Sequence, residues 1–348
     1  MKFSLSVQME RLDPAHDMAE VASNALELVR MADQGGFEIA WTPEHHTIEM
    51  TAAPNPFTIL THWGAHTKRI RLGTAVVTAP YWHPIRLAGE AALCDLLTGG
   101  RLEFGIARGA YQYEFDRLMD GMPQQEGVAY MKEITPAVKA LWQGDYAHDG
   151  HYWKFPAATS VPKPVQTPHP PIWVAARDPG SFDWAFKMGA DIMTTPLGRP
   201  NEEIQILADK FEEAVANNPQ VPRPRFMMMR RACVYPTYED SAVPLAAAVE
   251  SGRRFANLFN NLGGVVNGFP EPVDYEEIAG QPDNQPDVML DRMVFGTPEQ
   301  VVEKLRLYER AGVDQFCYNA MPAIPFDFAR RSLEMFITDV MPHFEEAG

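Results

Sequence analysis

Short apolar runs and longer amphipathic segments alternate along the chain. Eight runs read as strands, at residues 2–8, 37–41, 70–77, 102–106, 172–176, 190–194, 225–234 and 313–318. The first shows the period of two most clearly, with Phe3, Leu5 and Val7 separated by small polar residues. Between the runs the period lengthens to that of a helix. Residues 18–34 place Val21, Ala25, Leu28, Val29 and Ala32 on one face and stop at Gly35-Gly36. Leu87, Ala91, Cys94 and Leu97 repeat the pattern before Gly99-Gly100. Further helices are expected over 55–67, 127–142, 179–188, 201–216, 240–259, 301–311 and 326–344, and Thr297-Pro298-Glu299-Gln300 supplies a capping pattern. Two stretches break the alternation. A proline-rich excursion over 147–171 is expected to wrap the surface, and residues 260–291, rich in Gly, Pro, Asn and acids, read as a lid or mobile insertion loop.

Strands buried on both faces and joined by crossover helices make a parallel sheet. Eight such units in one chain of 348 residues predict an α/β fold, a (β/α)8 barrel forming a single domain over 1–348. Chemistry in a barrel of this kind gathers at the carboxyl ends of the strands. Glu44-His45-His46 follows the second strand, Arg108 and Tyr111 follow the fourth, and residues 175–181 lead from the fifth strand into a helix N-terminus, a ready anion site. Glu44-His45-His46 could be read as metal ligands, but adjacent side chains of an extended strand point apart and no third ligand is spaced to join them. No metal is expected. Arg108 admits two readings, an ion pair with an acid or a bidentate phosphate contact. Tyr81, Trp82, Met227, Met229, Met289 and Met293 are candidates for an apolar substrate pocket or simply for core.

The motifs GFEIAWTPEHH, RLGTAVVTAPYWHPIRLA, LTGGRLEFGIARGAY, PIWVAARDPGSFDWAFKMGAD and GTPEQVVEKLRLYERAGVDQF occur in that order. Together they resemble the bacterial luciferase-like family of flavin-dependent monooxygenases. The resemblance implies that FMN arrives reduced from a separate reductase and that O2 forms a flavin peroxide, which oxygenates a small, apolar organic substrate. It implies catalytic roles for His45 and Glu44, and a flavin ring lying against Thr74, Ala75 and Val76 with a cis peptide at Ala75–Val76. Arg108, Tyr111, Ala176, Arg177 and Ser181 become cofactor-binding residues, Arg108 on the phosphate side. Arg177 and Asp178 stand where members commonly carry smaller polar residues, so Ser181 and the adjacent amides are the better contacts. Ala107 replaces the cysteine of the light-emitting members, so light emission is not implied. A homodimer is the family expectation. Two other functions fit the same resemblance: hydride transfer with a deazaflavin, or a non-catalytic flavin-binding subunit.

Composition narrows the classes. Thirty Lys and Arg against 46 Asp and Glu give a formal charge of −16, which excludes a basic nucleic-acid or anionic-membrane surface. Three widely spaced cysteines, Cys94, Cys233 and Cys317, suggest neither a disulfide framework nor a zinc site. With no basic, apolar leader and no long apolar run, a cytoplasmic protein is expected.

Overall fold

The computed structural model describes residues 1–260, 262–320 and 323–344. Eight parallel strands close on themselves: β1 (Lys2–Ser6), β2 (Ile39–Thr42), β3 (Arg71–Thr74), β4 (Leu102–Ala107), β5 (Ile172–Ala175), β6 (Asp191–Thr194), β7 (Phe226–Val234) and β8 (Gln315–Ala320). Closure is completed by β7 pairing with both β6 and β8, and by β8 pairing with β1. The expected barrel is therefore present.

Helices α1 (Met18–Gly35), α2 (Pro56–His66), α3 (Pro84–Leu97), α4 (Gly127–Gln143), α5 (Pro179–Lys187), α6 (Glu202–Asn217), α7 (Pro298–Arg310) and α8 (Phe326–Met335) follow the strands in turn. Local signals set their ends. Asp17 caps α1 by accepting from the Ala19 amide, and Gly36, at φ +88°, terminates it in the left-handed region. Asn55 caps α2, and Thr297 with Gln300 forms the expected capping box on α7. The apolar stripe of α1 (Ala25, Leu28, Val29, Ala32) is buried as its spacing requires.

Several expectations need correction. Leu97 was placed on the buried face of α3 but is 58 % exposed. At 100° per residue it stands well off the stripe set by Leu87, Ala91 and Cys94. The third apolar run is not continuous: β3 stops at Thr74, and Val77–Thr78 pairs separately with β4. Within 147–171 the first half is an antiparallel hairpin, Tyr146–Asp149 against Lys154–Ala158. Residues 260–291 are not a structureless loop. They carry a small hairpin (Val265–Val266 with Phe269–Pro270) and helices Tyr275–Ala279 and Pro286–Arg292. Asp274 caps the first of these helices and Pro286 opens the second, helix-start signals inside a stretch of loop-like composition. The Arg253 Nε bond to the Val273 carbonyl (2.6 Å) and the Glu49 amide bond to the Gly268 carbonyl (2.7 Å) fasten the segment to the barrel.

The barrel interior is layered. Ile39, Trp41, Trp173, Met193, Met227 and Cys317 form an inner cluster, with Trp41 and Trp173 edge to face at 5.4 Å. At the amino-terminal end of the strands, buried Glu103 accepts from Trp173 Nε1 (2.6 Å) and Arg225 Nη2 (2.9 Å) and also pairs with Arg71. A satisfied ionic network at that end serves stability. At the opposite end stand small residues within reach of solvent, Ala75, Val76 and Ala107 partly exposed and Ala175 exposed, at or just past the strand ends. The carboxyl face of the barrel is therefore floored by small side chains.

Candidate active site

Glu44, two residues beyond β2, is buried and fully engaged. Its Oε2 accepts the Thr78 amide (2.7 Å), both oxygens accept from Trp82 Nε1 (2.9 Å), and Oε1 accepts from His46 Nε2 (2.8 Å). Glu44 thus ties the end of β2 to the turn after the Ala75–Val76 peptide, which is cis. Its contacts position neighbours, and Trp82 becomes one of its donors.

His45 takes a different partner. Its Nδ1 lies 3.2–3.3 Å from both oxygens of Glu114, and its ring stacks on Tyr111 at 4.7 Å between centroids. An ionised carboxylate only accepts, so this contact puts the hydrogen on Nδ1 and leaves Nε2 as the ring nitrogen without a protein partner among the described residues. Glu114 also accepts the His46 amide at 2.6 Å, which fixes the backbone between the two histidines.

His46 sits between the two buried acids. Burial lowers its pKa, but the hydrogen bond it donates to Glu44, the Glu44 charge and the Glu114 charge outweigh it, and the net shift is upward. A histidine raised above its unfolded value of about 6.5 stabilises the fold fully below that value and loses the contribution as pH rises through the folded value. The gap in urea midpoint between the parent and His46→Gln should therefore be widest near pH 5.5 and shrink towards pH 9. A gap that grew with pH would mean that His46 is held neutral.

Arg108, after β4, donates from Nη1 to the Gln124 side chain (2.8 Å) and carbonyl (3.2 Å). Among the described residues no acid pairs with it, although burial pulls its pKa down. Among the described residues the rest of its guanidinium has no protein acceptor. Gly109, at φ +93°, lets the chain turn sharply just beyond it. Tyr111 is buried, and its phenol is raised by burial and then by the Glu114 charge.

Residues 176–181 are arranged less simply. Ala176 is buried at the end of β5, where its amide bonds the Met193 carbonyl (3.0 Å). Arg177 is committed to Glu203 at 2.9 Å. Asp178 caps α5, accepting the Ser181 amide (3.0 Å) and hydroxyl (2.6 Å). The anion end of this helix already carries a carboxylate, so a phosphate would have to share it with Asp178 or displace it.

Thr74 Oγ1 is bonded within the sheet, donating to the Gly105 carbonyl (2.7 Å) and accepting its amide (2.8 Å), so it supports the wall. Met227 and Met229 lie in the barrel interior, whereas Met289 and Met293 belong to a separate cluster with Cys233, Tyr235 and Phe295 under the 260–291 segment. For those two the core reading holds and the pocket reading does not. Tyr81 packs on His46 and Phe115 at 5.4 Å. Among the described residues no group of three or more His, Cys, Asp or Glu could hold a metal ion, and no helix is long and apolar enough to cross a membrane. A cleft of about 620 Å³ lined by Met1, Glu38, Asp314 and Phe344 lies at the far end of the barrel and shares no residue with this site.

The family model for luciferase-like monooxygenases matches residues 1–315. The chain belongs to the luciferase-like monooxygenase family. Within it, the chain is 40 % identical over 347 residues to the flavin-dependent trigonelline monooxygenase, oxygenase component, of Acinetobacter baylyi, covering 100 % of this chain and 96 % of that one. The crystal structure of the monooxygenase RslO1 from Streptomyces bottropensis superposes with a TM-score of 0.83 at 25 % identity, covering 99 % and 100 % of the two chains. An F420-dependent secondary alcohol dehydrogenase shares the fold at a TM-score of 0.75 and 18 % identity, over 99 % and 100 %. At that distance only the barrel is shared.

Sequence reasoning missed three groups of this luciferase-like enzyme. Glu114 and Gln124 are contacted across 69 and 16 residues. The signal for Glu114 was a lone acid in the aromatic run Tyr111-Gln112-Tyr113-Glu114-Phe115, an unsuitable place for an acid without a partner. The third group is a charged pair on the opposite arc of the mouth.

Proposed function

We propose that this monooxygenase is the oxygenase component of a two-component system, taking reduced FMN from a separate reductase and oxygenating an N-methylated heteroaromatic carboxylate of the trigonelline kind. The observation that carries the reading is Arg108, a half-buried guanidinium without an acid partner at the rim of a hollow lined by Ala75, Val76, Ala107 and Ala175. Small side chains admit a flat ring, and an open guanidinium fork suits a phosphate. These residues fit FMN. When bound, the flavin supplies the reaction with O2 that no side chain can perform.

The chain's own residues supply the rest. Arg108 anchors the phosphate, and the wall from Thr74 to Val76 backs the ring. Glu44 and Glu114 hold the histidines in place, and His45 presents Nε2 to the hollow, where it can hold or move a proton. The apolar layer beneath keeps bulk water from below. The intact His45–Glu114 contact supports a catalytic chain over a non-catalytic subunit. A homodimer is supported by Leu93, Leu96 and Leu97, 44–58 % exposed on α3, and a cytoplasmic location by three buried free thiols.

Arg108→Ala tests the cofactor assignment. Losing a charge-assisted contact should weaken reduced-FMN binding by about 1.5–3 kcal/mol, or ten- to a hundredfold, in an anaerobic fluorescence titration. Turnover at saturating flavin should survive. Unchanged affinity would remove Arg108 from the phosphate site.

A further inference from the structure

Across the mouth from β3, β4 and β5, the arc formed by β7, β8 and β1 carries polar groups that the site described so far does not use. In register, Arg231 on β7 stands beside Asn319 on β8, Asn319 beside Ser6 on β1, and Ser6 beside Trp41 on β2. Each lies two residues beyond a residue whose side chain faces the barrel interior, Met229, Cys317, Ser4 and Ile39, so all four point inward in the uppermost layer. Trp41 Nε1 and Asn319 Oδ1 are buried with no hydrogen-bond partner among the described residues. Among the described residues Arg231 makes a single long bond, Nη2 to Ser251 Oγ at 3.4 Å. A buried polar layer left unsatisfied by the protein is costly, and a matching ligand would recover that cost.

Glu10, four residues past the end of β1, completes the arrangement. Both its carboxylate oxygens are buried and, among the described residues, no side chain bonds them, the Ala323 amide being the one polar group near enough to lower its pKa. Burial pushes its pKa up to about 8, which Arg231, the Ala323 amide and Arg254 only partly offset. Arg231 and Glu10 attract each other, yet among the described residues Arg231 forms no ion pair, and neither does Glu10. The charges of both also reach the Tyr111 phenol, whose ring covers His45. The pair thus adjoins the reacting side of the hollow, opposite the arc proposed for the flavin. Glu10 also borders a cleft of about 550 Å³ that Asp17, Glu20 and Glu250 line with further acids.

We propose that Glu10 and Arg231 read the two opposite charges of a zwitterionic aromatic substrate, Arg231 taking its carboxylate and Glu10 its delocalised ring cation. A guanidinium fork matches a carboxylate, and an acid beside an aromatic face matches a flat cation. Burial holds the unliganded Glu10 carboxyl neutral below about pH 8, so a ring cation seated beside it would favour its ionised form, while the open guanidinium of Arg231 meets the carboxylate. The assignment rests on the monooxygenase reading above and deepens it to the two residues that recognise the substrate.

The test is calorimetric titration, under anaerobic conditions, of the full chain loaded with reduced FMN. Three probes separate the charges: trigonelline carries both, nicotinate lacks the fixed cation, and N-methylpyridinium lacks the carboxylate. The parent should bind trigonelline at least about tenfold more tightly than either partial ligand. Arg231→Gln should remove the advantage of trigonelline over N-methylpyridinium, a loss of about ten- to a hundredfold, and Arg231→Lys should restore part of it. Glu10→Gln should remove its advantage over nicotinate. Equal affinities for all three probes on the parent, no binding of any of them, or a preference unmoved by both substitutions would overturn the proposal. If Arg231→Gln does not fold, Glu10→Gln decides alone, because it removes the charge with little change of shape. Failure of the parent to capture reduced FMN would instead refute the underlying monooxygenase reading.

Discussion

His45→Ala should oxygenate substrate about 10²- to 10⁴-fold more slowly than the parent, the usual contribution of a positioned proton-transfer group. The geometry gives the reason. Nδ1 is held by Glu114 at 3.2 Å and the ring by Tyr111, so the loss removes a group already fixed in orientation. Reduced-FMN affinity should change far less, because the phosphate contact assigned to Arg108 lies on another strand. Stopped-flow mixing of the reduced-flavin complex with O2 in the presence of substrate separates rate from capture. Product formation at the parent rate would take the catalytic role away from His45.

The second large effect is on stability. Glu44→Ala should destabilise the fold by about 3–5 kcal/mol, because it strands the Thr78 amide, Trp82 Nε1 and His46 Nε2 at a site where Glu44 itself is only 2 % exposed. Glu44→Gln keeps an acceptor in place and should cost appreciably less. Urea unfolding at constant pH reads the difference as a fall in midpoint. Equal midpoints for Glu44→Ala and the parent would mean that those donors find other partners, and the end of β2 would then owe little to Glu44.

The barrel was legible in the sequence because each strand and helix is specified locally. The β1 alternation, the α1 stripe with its Asp17 and Gly36 ends, and the Thr297–Gln300 capping box all need only neighbours in the chain. What lay hidden depends on distant partners. The side chain that holds His45 comes from 69 residues away, and the one that engages Arg177 comes from Glu203, 26 residues further on. Nothing around Arg177 announces that its charge is already matched. The 260–291 segment misled for another reason, since its composition is that of a loop while Asp274 and Pro286 start helices inside it. Glu10 and Arg231 escaped notice because only barrel closure brings the ends of β1 and β7 to one mouth.

One measurement bears most directly on the claim that this chain uses reduced FMN and O2 to oxygenate its substrate. The purified chain, loaded anaerobically with chemically reduced FMN and trigonelline, is mixed with ¹⁸O2 for a single turnover, and the product is analysed by mass spectrometry. The account predicts one heavy oxygen atom in the product and none when reduced FMN is omitted. Product carrying no heavy oxygen, or turnover supported only by a reduced deazaflavin, would contradict it.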